Sequence, residues 1–339
     1  MKRLILFLGF MMLPYISFGQ ITVDDILIWD YIPINIDDWK ECDGKSLFHL
    51  CRSDMRYHNV NYYNISPFEH KGAIKHIVCK EMTEEYKFGE ASLVLRRALE
   101  QKYESSGRLN SEYVYCMAQD QYKYFDWADK RFIICNVRPN TDERMLKDSE
   151  EVERNYSQTR FEYSWENGGR SIKVNMYYRQ YEYYDEEFRY IIHYEYNGKN
   201  LKSLNVYDNQ GVQLYALQFA YTSEGLLSEM QYYTRDYSLR KIDFSKPNII
   251  KRYRYDGHRN IVYYSYLEDM KFFTEVEFVN TYNTNGTINK MSIAYSFNKG
   301  LKSTNTRTYE YDNHNNWIKV VEKDYQDNMI LMLVREIEY

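Results

Sequence analysis

The chain has 339 residues and a formal net charge of −5, with Lys and Arg interspersed among Asp and Glu along its length. This even distribution argues against nucleic-acid binding, because contacts to a phosphate backbone need clustered Lys and Arg. Tyrosine is the unusual component, with 38 residues against 14 Gly and 5 Pro. Because tyrosine favours strands and combines a flat apolar ring with a polar tip, the composition predicts a β-rich protein.

The first 19 residues have the parts of a secretory signal peptide. A Lys-Arg pair forms the positive start, residues 4–16 form the apolar core, and residues 17–19 form a small-residue exit. We expect cleavage near Gly19/Gln20. The apolar run is shorter than the ~20 residues of a spanning helix, so no stable membrane span is expected. The predicted location is the periplasm, the cell surface or the extracellular space.

Residues 20–70 mix apolar and acidic positions without a sustained period, which predicts an N-terminal cap segment over the end of a repeat. The five cysteines all lie in the N-terminal part of the chain: Cys42, Cys51, Cys79, Cys116 and Cys135. An exported chain can form disulfides, and an odd number leaves at least one thiol free or bound to another molecule. Ordinary buried thiols are an equal alternative, so the pairing stays open. The CxxC pairs typical of zinc sites are missing, and no metal site is predicted.

Residues 71–137 are predicted to form a first β-repeat block. Within it, the segment 89–103 (GEASLVLRRALEQKY) fits two patterns. Helical spacing would gather Leu95, Ala98, Leu99 and Tyr103, whereas strand parity would gather Leu93, Leu95, Leu99 and Tyr103. A turn-like ESSGR segment follows, so we predict a strand. The highly charged residues 138–156 then predict a solvated loop or a short exposed helix that separates this block from the next.

Residues 157–339 repeat one pattern: an aromatic residue, any residue, Tyr, several residues drawn from Asp, Asn, Gly and Ser, then an aliphatic residue or Trp. The pattern recurs around Tyr163, Tyr196, Tyr221, Tyr255, Tyr282 and Tyr311, at intervals of 33, 25, 34, 27 and 29 residues. Shorter copies occur at Tyr103 and Tyr207. A loose period in this range indicates a repeat architecture.

The stretch RYRYDGHRNIVYY (252–264) shows what one unit predicts. Alternation puts Tyr253 and Tyr255 on one face of a strand and Arg252 and Arg254 on the other. Residues of the DGHRN type, beginning with Asp256, allow the chain to reverse, and a β-branched and aromatic return strand follows. Stacked units would bring their tyrosines side by side. The predicted fold class is all-β: an elongated, twisted antiparallel β-meander built of hairpins.

The segments RYRYDGHRNI, YEYDNHNNWI, VYDNQGVQL and KYESSGRL resemble the YD repeat of the Rhs family, whose units have the approximate form YxYDxxGxL. The resemblance covers roughly residues 70–339 and is closest to small secreted Gram-negative proteins with degenerate YD repeats. It implies a β-structured repeat. Besides the tyrosines that recur in the pattern, its structural positions would include Tyr253, Asp256, Gly286, Tyr309 and Asp312. The chain lacks the length and the toxin domain of Rhs proteins, so toxin delivery is not implied.

Chemistry-bearing motifs are sparse. None of the seven histidines stands at a metal-binding spacing, and His258 and His314 fall in turn segments. Nucleophile-elbow and Walker motifs are missing, and the acidic clusters fit solvated surface. We therefore expect no catalytic site, cofactor or metal. The predicted function is a non-catalytic scaffold or interaction protein that binds a protein partner along its Tyr-lined face or an unpaired sheet edge. The alternative is glycan binding through exposed tyrosines, although a repeat needs its regular aromatics first for packing.

Overall fold

The computed structural model describes residues 72–87, 90–105, 109–116, 121–128, 131–137, 156–179, 185–236, 241–269, 272–297 and 300–339. These residues form 19 strands and no helix, which confirms the all-β prediction. The predicted signal peptide, the cap segment and nearly all of the charged segment 138–156 lie outside them. The strands are β1 (His76–Lys87), β2 (Glu90–Tyr103), β3 (Leu109–Cys116), β4 (Gln121–Ala128), β5 (Arg131–Val137), β6 (Tyr156–Glu166), β7 (Ser171–Arg179), β8 (Glu187–Asn197), β9 (Asn200–Asp208), β10 (Gln213–Tyr221), β11 (Leu227–Asp236), β12 (Lys241–Ile242), β13 (Ile249–Tyr255), β14 (Ile261–Glu268), β15 (Phe272–Tyr282), β16 (Ile288–Phe297), β17 (Leu301–Tyr311), β18 (Trp317–Lys323) and β19 (Met329–Glu338).

The sheet follows the order of the chain. Each strand pairs antiparallel with the next one, except that both the two-residue β12 and β13 pair with β11. Strands β5 and β6 pair directly, so the strands on either side of the charged segment are neighbours in the sheet. The predicted antiparallel meander of hairpins is therefore confirmed.

Strand β1 has a second neighbour that the sequence did not indicate. It pairs with β2 on one side and with β19 on the other, in a register that runs from His76 opposite Glu338 to Met82 opposite Met332. Lys80 Nζ donates to Glu336 Oε1 across this junction at 2.8 Å. The first described strand, β1, is therefore a neighbour of the last one, β19. Among the described strands, unpaired edges remain at the short β12 and where one strand extends past its neighbour.

A β-bulge accompanies the repeat pattern. The strand register shifts just before the tyrosine that precedes a turn, and this occurs at Tyr103, Tyr196, Tyr221, Tyr255, Tyr282 and Tyr311. The tyrosine then pairs with the first apolar residue after the turn, as Tyr255 does with Ile261 and Tyr311 with Trp317. The extra residue lies on the returning strand, where a bulge bends the strand and increases its twist. The Tyr and the aliphatic residue of the sequence pattern are thus cross-strand partners.

The main core cluster lies on one face of the sheet and includes most of the predicted tyrosines. Tyr253 is 5% exposed, its ring centroid lies 5.6 Å from that of Tyr264 on the paired strand, and Tyr255 packs against the same cluster. Arg252 and Arg254 are exposed on the other face, as alternation predicted. Each such cross-strand pair contributes about 0.2–1 kcal/mol. The cluster continues from strand to strand across β6–β19 and includes Cys79 of β1.

The segment 89–103 forms strand β2, as predicted, but its faces differ from those expected. Leu99 lies opposite Cys79, whereas Leu95 lies opposite Met82, and Arg96 is the extra residue of a bulge between them. An extra residue reverses the facing of the side chains beyond it. The expected shared face of Leu93, Leu95 and Leu99 is therefore wrong. Leu93 and Leu95 are 52% and 38% exposed.

Candidate functional site

Two turns of the sequence form DxHxN contain the same set of backbone contacts. Asp256 Oδ1 accepts hydrogen bonds from the backbone N–H groups of His258 at 2.9 Å and Asn260 at 3.0 Å. Asp312 Oδ1 accepts from the N–H groups of His314 and Asn316, both at 2.9 Å. A short acidic side chain that bonds the backbone two residues on is an Asx turn. The spacing of Asp and Asn in these segments follows from this turn.

The second carboxylate oxygen of each Asp binds the next hairpin. Tyr282 at the end of β15 donates its hydroxyl to Asp256 Oδ2, and Asn280 Nδ2 donates to the same oxygen at 3.2 Å. Asn260 Nδ2 in turn donates to the Tyr282 hydroxyl at 3.1 Å. The His258 ring stacks on the Tyr282 ring with centroids 4.0 Å apart. We call these five residues the Asp256 cluster.

The Asp312 cluster repeats this arrangement after β19. Tyr339 donates its hydroxyl to Asp312 Oδ2, and Asn316 Nδ2 donates to that hydroxyl at 2.7 Å. His314 stacks on Tyr339 with ring centroids 4.0 Å apart. The cluster consists of these four residues. Since Tyr339 lies beside the β1–β19 junction, its bond to the turn between β17 and β18 ties that junction to the preceding hairpin.

Burial and hydrogen bonding have opposite effects on the pKa values of Asp256 and Asp312. Burial favours a higher pKa for Asp256, but the hydrogen bonds from Tyr282, Asn280 and the backbone of Asn260 and His258 outweigh it and lower the pKa. The pKa of Asp312 is lowered in the same way against its burial. Burial, followed by the bond to Asp256, raises the pKa of Tyr282. At neutral pH each cluster therefore joins a carboxylate to a protonated phenol.

Two other tyrosines at the same repeat position have a different partner. The Tyr255 hydroxyl donates to the backbone carbonyl of Leu227 at 2.8 Å, and the Tyr311 hydroxyl donates to the carbonyl of Ile288 at 2.9 Å. Each of these carbonyls belongs to the first residue of the returning strand in the preceding hairpin. In all four cases, the tyrosine hydroxyl links one hairpin to the hairpin before it.

The predicted repeat tyrosines are used mainly for packing. Four of them are buried. Tyr253 and Tyr309 are the first aromatic residues of their repeat units, and Tyr163 and Tyr196 are the second aromatic residues of theirs. The remaining predicted positions are half-buried: Tyr103, Tyr207, Tyr221, Tyr255, Tyr282 and Tyr311. Gly286 adopts φ +82° in its turn. Arg259, at the same position of the DGHRN turn, adopts φ +67°. A left-handed φ is easily adopted by glycine and is strained for arginine.

Exposed aromatic rings occur elsewhere. Tyr325 is 74% exposed in the turn between β18 and β19, Phe244 is 46% exposed and Phe297 is 38% exposed. The sequence pattern did not single these rings out as a binding face, because exposure depends on which side of a turn or strand end they occupy.

Among the predicted thiols and histidines, three are described with their surroundings. Cys79 is buried and forms no disulfide with a described residue. Cys42 and Cys51 lie outside the described residues, and the side chains of Cys116 and Cys135 are not described. His258 and His314 belong to the two clusters above. In the described part of the chain, no group of three or more His, Cys, Asp or Glu residues is placed to hold a metal ion, and no helix could span a membrane.

A buried ion pair lies on the core face, and sequence reasoning missed it. Arg307 Nε donates to Glu322 Oε2 at 2.6 Å, and both side chains are fully buried. Asn305 Nδ2 donates to Glu322 Oε1 at 2.5 Å, and the Tyr295 hydroxyl donates to the same oxygen at 3.3 Å. Arg307 and Glu322 are direct cross-strand partners in β17 and β18, so only the strand register could have revealed the pair.

No protein-family model matches the sequence, and no curated protein matches it. Several solved structures show low overall similarity to the chain. A porin-like protein from Bacteroides uniformis is 13% identical with a TM-score of 0.38, over 79% of this chain and 99% of that one. The TcdB2-TccC3-TEV structure is 12% identical with a TM-score of 0.29, over 74% of this chain and 15% of that one. A porin-like protein from Bacteroides vulgatus is 9% identical with a TM-score of 0.25, over 76% and 97% of the two chains.

Proposed function

We propose that the protein is an exported, non-catalytic β-repeat scaffold of the cell envelope that works by binding a partner. One observation carries the proposal: the hydroxyl and carboxylate groups that recur with the repeat bind one another between hairpins. Tyr282 is bound to Asp256 and Tyr339 to Asp312, while Tyr255 and Tyr311 are bound to backbone carbonyls. A group whose donors and acceptors serve the fold is poorly suited to acid–base chemistry on a substrate. The envelope location rests on the sequence-predicted signal peptide.

The resemblance to YD repeats is part of this proposal. In the Asp256 and Asp312 clusters, the Asp of one unit accepts a hydrogen bond from the Tyr of the next unit. This contact gives a physical reason for a repeat that places Tyr and Asp side by side. It supports the assignment to a degenerate YD-repeat scaffold.

Fractionation of cells that produce the full chain with a C-terminal epitope tests the location. We expect the protein in the envelope or medium with a new N-terminus near Gln20. A full-length, unprocessed chain in the cytoplasm would contradict the proposal. Assays with glycosidase, esterase and protease substrates test whether the scaffold is non-catalytic. Turnover that survives repurification would show that the protein is an enzyme.

Glycan binding is the second candidate function, and the exposure of Tyr325 favours it. This ring is 74% exposed in a tight turn, as sugar stacking requires, whereas the repeat tyrosines are packed. A glycan array followed by titration with Tyr325→Ala tests it, with Phe244→Ala as a control for a second exposed ring. Saturable binding that only Tyr325→Ala abolishes supports the candidate. A blank array removes it.

A further inference from the structure

The hairpin formed by β1 and β2 extends beyond its neighbours in the sheet. Strand β1 pairs with β19 only as far as Met82, and β2 pairs with β3 only from Arg97 onward. Among the described strands, residues 90–95 therefore pair with β1 alone. At about 3.3 Å per residue, the hairpin extends roughly 20 Å. We call residues 83–87 and 90–96 the overhanging hairpin.

Strand β2 of the overhanging hairpin turns two exposed leucines to one face of the sheet. The bulge at Arg96 turns Leu93 and Leu95 away from the core side, where they are 52% and 38% exposed, and Glu84 of β1 lies opposite Leu93 on the same face. On the other face, Arg96 donates to Thr83 Oγ1 at 2.8 Å and forms an ion pair with Glu85. A strand edge with exposed leucines beside it is a template for a further strand.

The sequence along the β2 edge is complementary to itself. When two copies of residues 90–96 (EASLVLR) are placed antiparallel about a two-fold axis at Leu93, Glu90 of each copy lies opposite Arg96 of the other. Ala91 lies opposite Leu95 on the face with the leucines, and Leu93 faces its own copy. Opposite charges and apolar pairs directly across strands are stabilising, and a two-fold contact requires this kind of self-complementarity.

Two other five-residue overhangs in the described sheet lack this pattern of charges. Residues 301–305 of β17 pair with β16, whereas β17 pairs with β18 only from Thr306 onward. Residues 278–282 of β15 pair with β16, whereas β15 pairs with β14 only as far as Glu277. Neither overhang contains residues of opposite charge, so the β2 edge is the better candidate for association.

We propose that the protein forms a two-fold dimer in which the β2 edges of two copies pair antiparallel about Leu93. The result is a four-stranded sheet with the leucines of both copies on one face. Because only about seven residues per copy take part, the interface is small and the dimer dissociates on dilution. The proposal is independent of the proposed function, since either a scaffold or a glycan-binding protein could dimerise.

Sedimentation velocity of the purified protein over a wide micromolar concentration range tests the dimer. We expect a concentration-dependent dimer in the unchanged protein. Leu93→Lys, which sets two ammonium groups against each other on the axis, should weaken it at least ~10-fold. Val279→Lys is the matched control, because Val279 is a 66% exposed apolar strand residue of β15 away from the hairpin. Circular dichroism of each variant confirms that the sheet is intact.

Mixing variants tests the position of the axis. Leu93→Lys chains and Leu93→Glu chains should each be monomeric alone, and a 1:1 mixture should form dimers, because opposite charges then meet on the axis. A monomer at every concentration of the unchanged protein overturns the proposal. So does a dimer that Leu93→Lys leaves intact, or equal weakening by Leu93→Lys and Val279→Lys. A mixture that stays monomeric overturns the pairing about Leu93.

Discussion

The tyrosine hydroxyl that links one hairpin to the hairpin before it has a different partner in the Asp256 and Asp312 clusters than in other hairpins. Tyr282 and Tyr339 bind a carboxylate, whereas Tyr255 and Tyr311 bind a backbone carbonyl. The first residue of the preceding turn accounts for the difference. Asp has two oxygens, so one serves its own turn and the other accepts the next tyrosine.

The turn that precedes Tyr255 begins with Thr222 and shows the other case. The single hydroxyl oxygen of Thr222 accepts from the backbone N–H groups of Glu224 and Leu226 at 3.3 and 3.2 Å. The next tyrosine therefore binds a main-chain carbonyl instead. Repeat units of similar sequence thus differ in the hydrogen bond to the next unit, whose acceptor is a charged carboxylate in some units and a neutral carbonyl in others.

The largest effect is expected from removing a shared carboxylate. Asp256→Ala removes the turn bonds and the bonds from Tyr282 and Asn280, and should lower the free energy of unfolding by about 3 kcal/mol, since a hydrogen bond to a charged group contributes about 1.5–3 kcal/mol. Asp324→Ala is the control. Asp324 makes the same turn bonds to Gln326 and Asn328, but its second oxygen accepts a hydrogen bond from Asn328 Nδ2. Urea unfolding followed by circular dichroism measures both, and equal losses would show that the link to Tyr282 contributes nothing.

Removing single hydroxyls measures the two kinds of link directly. Tyr282→Phe should cost about 2 kcal/mol, because the bond to Asp256 is charge-assisted. Tyr311→Phe should cost about 1 kcal/mol, because its bond to the Ile288 carbonyl is neutral. The same unfolding experiment compares them. If Tyr311→Phe proved the more destabilising, the distinction between the two links would be wrong.

The carboxylate links should make stability sensitive to acid. The folded-state pKa values of Asp256 and Asp312 are lowered, so their contribution is fully present above the unfolded value of about 3.9 and is lost as pH falls through the folded values. The effect should be smaller than that of Asp256→Ala, because a protonated carboxyl still fills its site. Unfolding free energies measured from pH 6 to pH 2 should fall less steeply for the Asp256→Asn/Asp312→Asn double variant than for the unchanged chain. Parallel curves would count against these aspartates as the source.

The smallest effect is expected from the stacked imidazoles. His258→Ala removes a ring contact with Tyr282 and should cost about 0.5–1 kcal/mol, whereas His258→Phe should restore most of it. Thermal unfolding of the three proteins is sufficient to compare them. A failure of His258→Phe to recover stability would indicate that the imidazole acts through its nitrogens and not through stacking.

Local pattern predicted much of the fold because the informative signals lie within one hairpin. The alternation of Tyr253 and Tyr255 with arginines gave the buried face, and the turn residues gave the chain reversals. Features that depend on register were not predictable. The bulge at Arg96 reversed the face of Leu93 and Leu95, and the Arg307–Glu322 pair required knowledge of which residues of β17 and β18 stand opposite each other.

The candidate site was predicted only in part. The repeat pattern assigned a structural role to Tyr282, Asp256 and Asp312, but not to Tyr339. Their mutual hydrogen bonds join residues 26 or 27 positions apart, a distance that no local pattern specifies. The pairing of β1 with β19 is more remote still, and nothing in either segment indicates the other.

The junction between β1 and β19 has a consequence for how the chain acquires its structure. Lys80 and Glu336 are 256 positions apart, so β1 remains without one neighbour until almost the whole polypeptide is available. Joining such distant segments carries a large entropic cost and slows folding. During synthesis, the incomplete β1 edge is open to wrong pairing, and a holding chaperone that shields β1 would raise the yield of correctly assembled protein.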